Sequence, residues 1–158
     1  MRKIIDKSLE MLLITLLALL VTDVLWQVAS RYLLSSPSSV TDELAGYLLI
    51  WVGLLGAAYV AGCNQHLAID LLVRRLSTAH DRMARYFTAF VIFSFAVAVL
   101  IIGGSWLVYT RFTLHVTSAS LQINLGYVYL ALPISGLLTA YYAIDNAVRP
   151  HPGAPTNK

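Results

Sequence analysis

The sequence predicts an all-α integral membrane protein: four transmembrane helices, both termini cytoplasmic, and an amphipathic interfacial segment between helices two and three. Three observations predict it. Hydrophobic residues make up 58% of the 158 and charged residues 12%, with mean hydropathy +0.72, whereas soluble domains carry roughly 25% charged residues. Four apolar runs, at about 9–34, 42–62, 87–109 and 125–144, are each long enough to cross a hydrocarbon layer as a helix. Nine of the eleven basic residues fall on one side of those runs: Arg2, Lys3 and Lys7 in the head, Arg74, Arg75, Arg82 and Arg85 in the middle, Arg149 and Lys158 in the tail. Under the positive-inside rule these segments are cytoplasmic, and loops 35–41 and 111–124, flanked by Arg31 and Arg111, face the other side. Residues 1–149 then form a single membrane domain, and 150–158 a flexible tail.

The first run follows a short basic head, an order shared with secretory signal peptides. It is about twice the usual length of a signal-peptide core, carries Asp23, and is followed by no small-x-small cleavage site, so it reads as an uncleaved first span. Asp23, Gln27 and Arg31 recur every fourth residue and share one helix face. An intramembrane carboxylate without a partner is costly. Asp23 is therefore either a proton or ion relay, or a structural contact with a polar group on a neighbouring helix or subunit.

The second run is the most informative. Ser39 stands three residues before Asp42, as in a helix-start capping box, and Asp42 and Glu43 suit the positive end of the helix dipole. Within the run, Gly53, Ala57 and Ala61 recur every fourth residue, giving a face of small side chains that another helix can approach closely. Arg31 and Glu43 lie at the same membrane depth, and either pair across the short loop or are solvated separately.

From His66 to about Tyr86, apolar Leu67, Ile69, Leu71, Leu72, Val73 and Leu76 alternate with Asp70, Arg74, Arg75, Asp81, Arg82 and Arg85. That pattern fits a helix and turn at the membrane surface, its four arginines near anionic phospholipid headgroups. A plain connecting loop is the competing reading. His66 and Asp70, again four apart, are placed to fix a helix–loop junction. The third run carries Gly103-Gly104, a candidate bend, and the fourth carries Pro133, a candidate kink.

Several chemistries find no support. Cys63 is the single cysteine, and no Cys/His metal spacing exists. Haem would need histidines inside the spans, whereas His66, His80, His115 and His151 lie outside them. A net charge of +3, scattered along the chain, does not suggest nucleic acid. No nucleophile–base pair or phosphate loop is present, so neither an enzyme nor a cofactor is expected. No internal repeat marks a complete secondary transporter.

The run from Arg31 to Asp70, with Arg31, Glu43, Leu44, Trp51, Gly56, Ala57, His66 and Asp70 in order, resembles the signature region of one membrane-protein family. That family is the small membrane subunit of TRAP (tripartite ATP-independent periplasmic) transporters. Tyr129-Leu130-Ala131-Leu132-Pro133-Ile134 is similar to its Y-x-x-L-P-I element. The resemblance covers nearly the whole chain.

What it implies is a supporting role in uptake across a bacterial inner membrane. A large membrane subunit would carry an organic acid (dicarboxylate, keto acid, sugar acid or sialic acid) by an elevator motion coupled to sodium. A periplasmic substrate-binding protein would deliver it. The small subunit would pair one-to-one with the large one and widen its scaffold. Asp23, Gln27, Arg31, Glu43, Trp51, Gly53, Gly56, Ala57, His66, Asp70 and Pro133 are then the expected structural and subunit-interface residues. Arg111, His115, Gln122 and Asn124, on loop 111–124, are the expected docking residues for the binding protein. The alternative is a small self-sufficient proton-coupled exporter using Asp23.

Overall fold

A computed structural model describes residues 2–33, 39–62 and 78–148. Its elements are α1 (Arg2–Leu33), α2 (Ser39–Gly62), α3 (Thr78–Phe95), a π-helical stretch (Ala96–Gly103), α4 (Gly104–Thr113), α5 (Gly126–Tyr129) and α6 (Ala131–Val148). They supply four helical spans long and apolar enough to cross a bilayer: Arg2–Tyr32, Ser39–Gly62, Tyr86–Thr113 and Gly126–Val148. His66, Asp70, Arg74, Arg75 and the tail lie outside the described residues. Arg82 and Arg85 lie on α3, but their side chains are outside the description.

The helices stand in a row. α2 packs between α1 and α6, and α6 packs in turn against α3 and the π-helical stretch. The core sits where the first, second and fourth spans meet: Leu9, Leu55 and Tyr142 are buried together, with Ile5, Leu13, Trp51, Tyr59 and Leu138 packed around them. The two ends of the row stay open. Met11, Leu17, Leu25 and Trp26 are exposed on α1, and Phe87, Phe90, Phe95, Ile102 and Trp106 on the third span. Apolar flanks of this extent suit lipid or another membrane helix, not water.

At one end of the bundle the first and last described turns meet. Arg2 Nη1 donates to Asp145 Oδ2 at 2.6 Å and Nη2 to the Gly62 carbonyl at 2.6 Å. Tyr142 donates to Asp6 Oδ1 at 2.7 Å, and Asn146 Nδ2 to the Ala61 carbonyl at 2.9 Å. This terminal end gathers the start of α1, the end of α2 and the end of α6. The opposite, loop end carries the start of α2 and residues 114–125.

Three features differ from those the sequence predicts. The first helix starts at Arg2 rather than about residue 9, because its basic head continues the helix and is tied to Asp145. The third helical segment starts at Thr78, so the C-terminal part of the segment expected at the membrane surface is continuous with the span. Gly103 and Gly104, where the π-helical stretch passes into α4, keep helical dihedrals, with φ −62 at both. Gly104 serves close packing instead: a Cβ there would lie 2.8 Å from Leu132 Cβ. Pro133 acts one turn upstream of itself. It has no N–H for the Tyr129 carbonyl, and α5 and α6 are divided at Leu130, whose backbone stays helical at φ −57, so the span is interrupted in bonding but not broken.

Candidate functional site

Residues 114–125 at the loop end form a compact hairpin, held by backbone hydrogen bonds and by side chains that bond its main chain. Leu114 N–H closes the last turn on the Thr110 carbonyl at 3.0 Å, and Val116 N–H reaches the Arg111 carbonyl at 3.2 Å. Thr117 and Asn124 then pair as an antiparallel bridge, flanked by Ser118 N–H to Ile123 O at 2.8 Å and Leu125 N–H to Val116 O at 2.9 Å. His115 and Gln122 take left-handed backbone, φ 48 and 55, which L side chains adopt only when their surroundings hold them there. Gln122 Nε2 returns to the Ala119 carbonyl at 3.1 Å. Asn124 Oδ1 accepts from the buried Gly126 N–H at 2.8 Å. Asn124→Ala would leave that N–H unpaired, an expected loss of about 1–3 kcal/mol, read as a lower melting temperature of the purified protein.

Glu43 ties this hairpin to α2. Its carboxylate accepts from the N–H groups of Ala119 at 3.2 Å, Ser120 at 2.8 Å and Leu121 at 3.1 Å, and from the Tyr47 hydroxyl at 2.6 Å. An ionised carboxylate is acceptor-only, and such charge-assisted bonds are stronger than neutral ones. The neighbouring Asp42 turns the other way and accepts from Gln27 Nε2 on α1 at 2.6 Å. Two consecutive acids therefore stitch the first helix, the second helix and the hairpin together. Neither of the fates expected for Glu43 is seen: among the described residues it makes no pair with Arg31, which is exposed, and its carboxylate is engaged by protein donors.

The other expected site residues scatter over the molecule. Asp23 is half-buried on α1, and its Oδ2 is shielded without a hydrogen-bond partner. Arg111 belongs to the last turn of α4, with its guanidinium 5.6 Å from the centre of the Tyr129 ring and its Nε buried and unpartnered. His115 and Gln122 are exposed on the hairpin. Trp51 packs against the core. Gly53 and Ala57 are exposed, Gly56 is half-buried, and a Cβ built on Gly53 or Gly56 meets nothing within 4 Å.

Sequence reasoning missed the polar cluster of Arg2, Asp6, Tyr142, Asp145 and Asn146 at the terminal end. Its signal was the polar residues Asp145 and Asn146 closing an otherwise apolar helix. Among the described residues no group of three or more His, Cys, Asp or Glu side chains is placed to hold a metal. The arrangement is one of packing faces and one ordered loop.

Comparison with known proteins agrees with that description. Residues 12–152 match the family of tripartite ATP-independent periplasmic transporters, DctQ component. A protein of Haemophilus influenzae described as a TRAP transporter small permease protein is 32% identical over 146 residues, covering 91% of this chain and 88% of that one. The sialic acid TRAP transporter small permease protein SiaQ of Vibrio cholerae is 24% identical over 149 residues, covering 92% and 82%. The C4-dicarboxylate TRAP transporter small permease protein DctQ of Rhodobacter capsulatus is 29% identical over 105 residues, covering 63% and 44%. With three of the four spans wholly inside the matched region and most of the first, the chain belongs to the DctQ-component family, the small permease subunits of TRAP transporters.

Proposed function

We propose that this chain is the small membrane subunit of a sodium-coupled, binding-protein-dependent uptake system for an organic acid in a bacterial inner membrane. It scaffolds a large elevator-type subunit one-to-one and helps dock the periplasmic binding protein, with its terminal end cytoplasmic and its loop end periplasmic. The relatives named for sialic acid and for C4-dicarboxylate both belong to systems for carboxylated solutes, which supports the substrate class. The exporter alternative is not favoured, since the family match runs through nearly the whole chain.

The observation that carries this reading is the outward face of α2. Leu55 and Ala58 are buried against the chain's own helices, while Gly46, Gly53 and Ala57 are exposed and a Cβ on Gly46 or Gly53 would meet nothing. A small-residue face without a neighbour invites close helix approach, where packing rather than the hydrophobic effect drives association. Gly53→Leu combined with Ala57→Leu is expected to leave insertion of this chain intact. Recovery of the large subunit with it should fall several-fold, and uptake with it. Undiminished recovery would place the large subunit on another face. Sodium-driven uptake by this subunit reconstituted alone would overturn the scaffold role.

A further inference from the structure

We propose that Glu43 is a positioning residue for binding-protein docking: its carboxylate holds the backbone of residues 119–121, and so fixes the hairpin 114–125 in the shape the binding protein meets. The proposal rests on the reading of this loop as the docking surface.

The geometry separates holding from contact. Glu43 grips the hairpin from the α2 side, accepting from main-chain N–H groups at 2.8–3.2 Å, and Tyr47 steadies its carboxylate by donating to it at 2.6 Å. The hairpin's side chains are left facing out: Leu114 is 65% exposed, Ile123 40%, and His115 and Gln122 are exposed with them. Two of these four, His115 and Gln122, sit on left-handed backbone, so their directions depend on the turn being held closed. Ser118, buried beneath the turn, adds a second acceptor for the Leu121 N–H at 3.1 Å. A loop that meets a soluble partner repeatedly gains from being ordered beforehand, because ordering at the moment of contact subtracts from affinity. One carboxylate satisfying three consecutive N–H groups orders the loop from beneath, leaving Leu114 and Ile123 free, with Gln122 among the outward polar side chains bonded back to the turn at the Ala119 carbonyl.

The test uses the complex of this chain with its large subunit in proteoliposomes, carrying Glu43→Gln or Tyr47→Phe. Gln is nearly isosteric but sets an NH2 donor against N–H donors. Two quantities are read: amide hydrogen exchange at residues 119–121, and uptake rate against binding-protein concentration. Glu43→Gln is expected to speed exchange at 119–121 and raise the half-saturating binding-protein concentration by about tenfold, with the maximal rate nearly unchanged. Tyr47→Phe should act in the same direction and less, since three donors remain. Faster exchange with an unchanged half-saturating concentration would overturn the proposal, as would a fall in maximal rate at saturating binding protein. A third variant, with His115, Gln122 and Ile123 replaced by serine, separates the two readings. If it too leaves half-saturation unchanged, the loop does not dock the binding protein; if it shifts half-saturation while Glu43→Gln does not, only the positioning role fails.

Discussion

Alanine at Gly136 or Gly104 is expected to force the third and fourth spans apart. The two glycines make a reciprocal crossing. A Cβ on Gly136 would lie 2.7 Å from Leu100 Cβ, 2.9 Å from Ile101 Cγ1 and 3.2 Å from the Ile101 backbone nitrogen. A Cβ on Gly104 would lie 2.8 Å from Leu132 Cβ and 3.2 Å from Pro133 Cδ. Gly104 is four residues from Leu100 and Gly136 four from Leu132, so each glycine receives the leucine one turn from the other. Apart from Ile101 Cγ1, the obstructing atoms are backbone, Cβ and a proline ring, none of which can swing aside as a long side-chain tip can. Overpacking of this kind typically costs about 1–3 kcal/mol per site, and leucine should cost more than alanine. Thermal unfolding of the purified chain is the measurement, with Gly53→Ala as control, since a Cβ there meets nothing in the chain's own fold. If Gly136→Ala melted with the control, the crossing would have to be looser than these distances allow.

Hydropathy made the number of spans legible, because transfer of each side chain into hydrocarbon is a property of single residues and adds along the chain. It could not show neighbours. Gly104 looked like a bend because glycine is permissive anywhere. Its use here is the absence of a Cβ against Leu132, a fact that belongs to the partner helix. The small face at Gly53 and Ala57 was legible as a stripe of small residues, and the structure adds that the chain's own helices leave it open. Glu43 was singled out for its place at the start of a span, yet its partners were not found. They are main-chain N–H groups, present at every residue and marked by no side chain. The start of α1 was misplaced for a related reason: basic residues at a membrane boundary carry a topological signal that hides any pairing they make.

That hidden pairing gives Arg2 a second role that a change of topology cannot explain. Arg2→Lys keeps the positive charge at the terminal end and so should keep orientation. It loses the planar fork that reaches Asp145 Oδ2 and the Gly62 carbonyl together, each at 2.6 Å, which a single ammonium on a flexible stem does not reproduce. Both side chains are mostly shielded, at 22% and 13% exposure, so solvent screens the pair only in part. Hydrogen bonds to charged groups are worth about 1.5–3 kcal/mol, and Arg2→Lys should forfeit part of that while Asp145→Ala forfeits more. The loss should spread inward, because Tyr142, which lies against Gly62, also bonds Asp6 one turn along α1. A Cβ on Gly62 would lie 2.8 Å from the Tyr142 ring, so this end closes only as a tightly fitted unit. A double-mutant cycle over Arg2→Lys and Asp145→Ala, read by thermal unfolding, should give losses well short of additive, since both remove the same contact. Additive losses, or an inverted orientation after Arg2→Lys in a cysteine-accessibility assay, would return Arg2 to a purely topological role.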